Sequence, residues 1–283
     1  MANEYKKAKT KSVICWTIAF IFAIILLLIA LIPFLFMIFN SFKEQFDMLT
    51  NGVFSLPEKW IFQNYVTVVQ NGFFNFFFRS VFVVAVSLVL LLTITSLAAY
   101  PLSRFQFRSR NLIRASIVAM MAIPMHVTLI PIFKLTTDMK IYDTVFALIG
   151  PYVAFALPIS TFILTGFMQQ SIPKEMEEAA EIDGCGKFRT FFSVIVPLTK
   201  PGLATLAIYN GVNMWNEFAF ANTLTRKNAQ TLPLALQAYK GENVSNIPLI
   251  LAVLTLSALP MIIMFLIMQE KLIKGMVAGA VKG

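Results

Sequence analysis

Cysteine, histidine and charge are all scarce in this chain, and each shortage removes a class of function. Only 2 cysteines and 1 histidine occur among 283 residues. Cys15 lies in an apolar segment and Cys185 in a charged loop, so no structural disulfide is expected. His126 stands alone and remote from either thiol, which leaves too few ligands for a tetrahedral metal site. The same shortage leaves no Ser-His-Asp arrangement and no carboxylate pair of the kind hydrolysis needs. Charged residues are 13% of the chain against 58% hydrophobic, and a mean hydropathy of +0.76 excludes an ordinary soluble domain. A nucleotide-binding loop is missing as well. Gly184-Cys185-Gly186-Lys187 has glycines and a lysine, but Phe188 stands where a phosphate loop needs Ser or Thr, and no strand precedes it.

What the chain has instead is long apolar runs. Crossing about 30 Å of hydrocarbon takes roughly 18 or more apolar residues. Six segments meet that need, at 13–39, 80–102, 115–133, 144–168, 202–224 and 247–268. The first is too long for a signal-peptide core and is read as a retained span. The expected fold is therefore an all-α membrane protein with six transmembrane helices and no separate soluble domain. Pro124 and Pro131 in the third span, with Pro151 and Pro158 in the fourth, predict kinked or broken helices there. Residues 40–78 read as a partly structured interfacial loop, closed by an aromatic anchor from Phe73 to Phe78.

The net charge of +9 is a matter of topology. Lysines and arginines gather in the N-terminal tail, in the loop Arg104, Arg108, Arg110 and Arg114, in residues 171–201 and in the C-terminal tail 269–283. The alternate loops carry fewer. This bias predicts that both termini and the central loop are cytoplasmic, and it argues against a nucleic-acid partner.

Residues 171–201 are the longest stretch beyond the N-terminal tail that cannot lie in lipid. Eight charged side chains fall between Lys174 and Arg189. Pro173 suits a first helical turn, and Gly184 follows a run of helix formers where a C-terminal cap is expected. Phe188, Phe191, Phe192 and Ile195 then form an apolar stripe at helical spacing, with Pro197 and Pro201 expected to end that helix. The stretch predicts a helix–turn–helix outside the membrane, shaped to fit into something else.

Glu178-Ala179-Ala180, then Asp183-Gly184, then Val194-Ile195-Val196-Pro197 resembles the EAA loop of ABC importer permeases. Val194 and Val196 replace the Ile and Leu the family prefers. The resemblance extends over essentially the whole chain to carbohydrate permeases of the maltose type, specifically the shorter of their two permease subunits. Trp215-Asn216-Glu217-Phe218 and the C-terminal Gly279-Ala280-Val281-Lys282-Gly283 carry it further. The resemblance implies a type I importer fold, a second permease subunit, two ATPase subunits and an extracellular solute-binding protein. It implies no cofactor on this chain, with ATP and Mg bound by the partner subunits. It also implies that Glu178, Ala179, Ala180, Asp183, Gly184, Phe188 and Pro197 face an ATPase cleft, that the C-terminal tail reaches the ATPases, and that Gln237, Tyr239 and Gly241 of the outer loop 225–246 touch the binding protein.

The fifth span is polar for a membrane helix. Asn210, Asn213 and Glu217 share one face, with Asn216 beside them. Two readings stay open. The amides join helices together, or the group lines a path for a hydroxyl-rich solute. Glu217 is expected either to face water near the outer end or to pair with a base such as Arg79. His126 is expected to be neutral and bonded to a backbone carbonyl that Pro124 sets free. An ion-coupled secondary transporter, a membrane scaffold whose central loop docks a cytoplasmic partner, and an importer of a non-sugar solute are the other functional readings. Span interiors nearly free of charge and the lack of a repeat weigh against the first of these.

Overall fold

The structure, a computed structural model, describes residues 2–238 and 246–280. It is helical, with no strand among the described residues. Two compact units are formed, residues 1–71 with 239–256, and residues 72–238 with 257–283.

In the first unit, helix α1 (Ala2–Ser41) carries the apolar span Val13–Ser41. Its apolar side chains are exposed along that span, as lipid-facing helices require. Two short helices follow, α2 (Gln45–Thr50) and α3 (Gln63–Gln70). The segment expected to be a partly structured loop is tied together by polar side chains. The Asn64 amide donates to the carbonyls of Ser41 at 2.8 Å and Lys43 at 2.9 Å. The fully buried Lys43 ammonium donates to the Gly52 carbonyl and the Ser55 hydroxyl. Phe42 packs on Trp60, Phe62 and Tyr65 beside these bonds.

The second unit is built on α4 (Phe73–Arg104) and α7 (Phe146–Ser171), which make its most extensive helix pairing. The buried face of α4 is rich in small residues, Ser80, Ser87, Thr95, Ser96, Ala99 and Ser103. Helices in lipid gain no hydrophobic drive against each other, so close contact of small residues supplies the attraction. Phe73 to Phe78 form the first turns of this helix.

The third span breaks as its prolines predict. Helix α5 (Arg110–Met121) leads to a 3-10 turn (Met125–Thr128) and then to α6 (Leu129–Asp138), with a bend of 89°. The break falls at Pro124, which is extended at ψ 124°. Pro131 lies in the first turn of α6, where a missing N–H leaves no bond unmade. The fourth span, in contrast, runs as one helix through Pro151 and Pro158.

After α7 come α8 (Glu175–Ile182) and α9 (Lys187–Thr190). A π turn (Phe191–Ile195) carries α9 directly into α10 (Val196–Trp215), giving a continuous span of 29 residues. Pro197 and Pro201 therefore do not end the helix as expected. Pro197 follows the wide π turn at the start of α10, where a proline needs no intrahelical donor. The turn also divides the apolar stripe, for Phe191 and Ile195 are buried while Phe188 and Phe192 are exposed.

The fifth span ends earlier than residue 224. Helix α10 stops at Trp215, and α11 (Ala219–Leu224) restarts after a three-residue break. Helix α12 (Leu232–Ala238) follows, with the Leu232 amide donating to the Ser80 hydroxyl at 2.8 Å. Helix α13 (Ile247–Ala280) holds the sixth apolar span, Ile247–Ile267.

Candidate functional site

Two places in the second unit gather the polar residues. The first is the break between α10 and α11. A helix start leaves backbone N–H groups without partners. Here the Glu217 carboxylate accepts from the Phe220 amide at 2.8 Å and the Ala221 amide at 3.1 Å. It also accepts from the Tyr152 hydroxyl of α7 at 2.9 Å. Glu217 is thus half-buried and bonded by neutral donors; of the two expected arrangements, facing water or pairing with a base such as Arg79, the ion pair is not found among the described residues. The dipole at the start of α11 favours its negative charge.

Beside this break lies a cavity of about 580 Å³, within the range usual for small-molecule sites, roughly 300–1,000 Å³. Asn210, Asn213, Asn216 and Glu217 all line it. Their hydrogen bonds divide them. The buried Asn210 amide donates to Ser160 on α7 at 3.0 Å and to its own Leu206 carbonyl, so it joins two helices. Asn213 and Asn216 are exposed and donate only to carbonyls of their own helix, Tyr209 and Val212, at 2.9 Å each. No hydrogen bond to their amide oxygens is found among the described residues. Tyr152, Phe155, Tyr209 and Phe220 add aromatic surface to the lining, which has no lysine or arginine among the described residues.

His126 departs from expectation. Its ring lines this cavity, is exposed, and makes no hydrogen bond among the described residues. The carbonyl that Pro124 would set free, that of Met120, accepts instead from the Ile123 amide at 3.2 Å.

The second place is the connector between α7 and α10. Gly184 has φ +78°. The Gly184 amide bonds the Glu181 carbonyl, and the Cys185 amide reaches back to Ala180. These two bonds form a Schellman cap, which requires a left-handed residue at the glycine position. Glu178, Ala179, Asp183, Phe188 and Pro197 are exposed, and Ala180 is buried. Ile182 and Phe188 are 86% and 81% exposed, an apolar tip on a charged stretch. Such a tip marks an interaction surface.

Of the outer-loop residues, Gln237 is exposed on α12 and donates to Asn222 at 3.3 Å. Tyr239 and Gly241 lie outside the described residues, as does the end of the C-terminal tail.

Sequence reasoning missed what holds the connector to the rest of its unit. Arg104, at the end of α4, meets Glu177 of α8 as a buried ion pair, with Nε 2.5 Å from Oε1. The contact is electrostatic, since neither atom meets hydrogen-bond geometry with the other. Tyr100 also donates to Glu177, at 3.3 Å, and Arg104 donates to the Ile172 carbonyl at 2.7 Å. In sequence Arg104 is one of several loop arginines that speak to topology, and Glu177 is one of four acids in α8.

A largely apolar cavity with a few amides and one carboxylate lies among long apolar helices, and an exposed helix–turn–helix is carried between two of them, an arrangement that suits a membrane transport protein. The family model described as "binding-protein-dependent transport system inner membrane component" matches residues 92–277. The chain belongs to this family and is an ABC importer permease, a multi-pass protein of the cell membrane.

It is 52% identical, over 93% of its length and 96% of the relative's, to a protein of Caldicellulosiruptor sp. (strain Rt8B.4) named as an ABC transporter permease. It is 33% identical to the melibiose/raffinose/stachyose import permease of Bacillus subtilis (strain 168), over 98% of this chain and 100% of that one. It is 34% identical to the trehalose/maltose transport system permease of Thermococcus litoralis, over 92% and 95%. Among solved structures, a bacterial ABC transporter involved in the import of the acidic polysaccharide alginate matches with a TM-score of 0.72 and 25% identity, covering 91% of this chain and 96% of that one.

Proposed function

We propose that this chain is a translocation subunit of an ATP-driven carbohydrate importer. It pairs with a second permease subunit and receives a di- or oligosaccharide from an extracellular solute-binding protein. ATP, with Mg, is bound and hydrolysed by two separate subunits docked on residues 171–201. The termini and that connector are cytoplasmic, in keeping with the excess of lysine and arginine on their side.

The observation that carries the carbohydrate reading is the cavity at the α10–α11 break. Solute hydroxyls crossing lipid must exchange bonds to water for bonds to protein, and weakly enough to leave. Neutral amides contribute about 0.5–1.5 kcal/mol net per bond. Asn213 and Asn216 present amide oxygens with no hydrogen bond among the described residues, beside aromatic side chains, which suits sugar hydroxyls and sugar ring faces alike. The saccharide permeases among the relatives support the same class.

The test is reconstitution with the second permease, the ATPase subunits and the solute-binding protein of the same transporter. ATPase activity is then measured across neutral mono-, di- and oligosaccharides. Stimulation by at least one saccharide, and by no amino acid or peptide of similar size, is the expected result. Stimulation by a non-sugar solute alone would refute the substrate class.

A further inference from the structure

The connector's two helices are covalent neighbours of α7 and α10, so any push on them reaches those spans through the backbone. The side chains add a third route. Glu177, in the first turns of α8, is 15% exposed and pairs with Arg104, which is 4% exposed. Tyr100 donates to the other carboxylate oxygen, and the Arg104 guanidinium also takes the Ile172 carbonyl just before α8. At the start of α9, the Lys187 ammonium lies 4.7 Å over the ring of Phe105, the residue that follows α4. Tyr100 packs on Phe191, with ring centroids 5.1 Å apart. Both helices of the connector are therefore fastened to the same end of α4, and the Arg104–Glu177 pair sits in a largely buried setting where charges are screened little.

We propose that the Arg104–Glu177 pair is a mechanical joint that makes the end of α4 move together with α8. The helix carrying the tight small-residue face against α7 then receives the displacement of the connector directly. Glu177 and Arg104 are positioning residues in this scheme and touch neither solute nor nucleotide. The inference rests on the proposed docking of ATPase subunits on this connector. A merely structural pair would hold α8 in place in one state, and a joint must hold it in all of them.

The test uses the whole importer in proteoliposomes, with Cys15→Ser and Cys185→Ser as background. Spin labels at Glu181 on α8 and Leu97 on α4, both exposed, report the distance between the two helices. The joint requires that distance to stay within about 2 Å between the nucleotide-free and ATP-trapped states, while connector-to-ATPase distances change. A shift as large as that of the connector against the membrane would overturn the proposal.

Function supplies the second arm. Glu177→Gln should keep basal ATPase and lower saccharide uptake per ATP by about tenfold. The exchange Arg104→Glu with Glu177→Arg should restore at least a third of it. Where the single variants do not assemble, Tyr100→Phe is milder and should broaden the spin-label distance in the ATP-trapped state. An unchanged uptake-to-ATP ratio in Glu177→Gln would contradict the joint. A wild-type assembly with no saccharide-stimulated ATPase would contradict the transport reading instead. The fixed distance needs no saccharide, so the two failures are told apart.

Discussion

Tyr152 and Glu217 are 65 positions apart in sequence and share one hydrogen bond of 2.9 Å, hydroxyl to carboxylate. That bond fastens the start of α11 to α7 at the rim of the cavity. Glu217 thereby acts first as a cap and second as part of a lining.

Removing the cap should show in assembly before it shows in uptake. Loss of a helix cap costs about 0.5–2 kcal/mol, and charge-assisted bonds are the stronger kind. Glu217→Ala should lower the melting temperature and the yield of assembled complex. Tyr152→Phe, which leaves the two backbone bonds in place, should do so by about half as much. Equal yields for wild type and Glu217→Ala would show that the carboxylate holds nothing.

At Gly184 the cost is purely conformational. A β-carbon there meets nothing within 4 Å, but φ is +78°. Left-handed backbone costs an L-residue about 1–2 kcal/mol, and Asn least. Gly184→Asn should keep saccharide-stimulated ATPase near wild type, and Gly184→Val should lose most of it with membrane insertion intact. Equal activity in the two variants would mean the turn does not set the connector's shape.

Gly202 is a case of contact. A β-carbon there would stand 2.9 Å from Cδ1 of Phe167 and 3.3 Å from Leu164. Overpacking of this kind costs about 1–3 kcal/mol. Gly202→Ala should reduce assembled complex, and Phe167→Leu in the same chain should recover part of it. The double-mutant comparison by thermal unfolding checks the coupling.

Asp143, in the loop before α7, gives a dependence on pH. Partial burial raises its carboxyl pKa, but backbone amides of Arg226, Asn228, Lys227 and Ala229 outweigh this and hold it below the ordinary 3.8. The amide of Arg226 donates to it at 2.7 Å. With the folded value depressed, its contribution is full above the ordinary value and is lost as pH falls through the lower one. Hydrogen exchange at the Arg226 and Asn228 amides, corrected for the intrinsic rate, should show protection that is constant from pH 7 to 5 and falls below about 3.8. Asp143→Asn should reduce the protection at pH 7. Protection unchanged in that variant would remove the carboxylate from the account.

The spans were legible because lipid imposes a length and a composition that few other settings demand. The connector's turn was legible because Gly184 sits where a Schellman cap needs it. Three features were not. Pro124 and Pro131 look alike in sequence, and only the helix restart at Leu129 makes one a break and the other a first-turn residue. Pro197 stays inside a helix because the π turn at Phe191–Ile195 directly precedes it, and no local pattern announces that turn. Arg104 meets Glu177 through tertiary packing, and in sequence each is one charge among several. The cavity was half legible. The helical face shared by Asn210, Asn213 and Glu217 was evident, but Tyr152 and His126 arrive from other spans.

Uptake in proteoliposomes tests the central claim most directly. The complete assembly is loaded with ATP inside and given labelled saccharide with its binding protein outside, with ion gradients collapsed by ionophores. Accumulation that requires both ATP and the binding protein, and survives the ionophores, is the expected result. Accumulation that follows an ion gradient and proceeds without ATP would contradict the account.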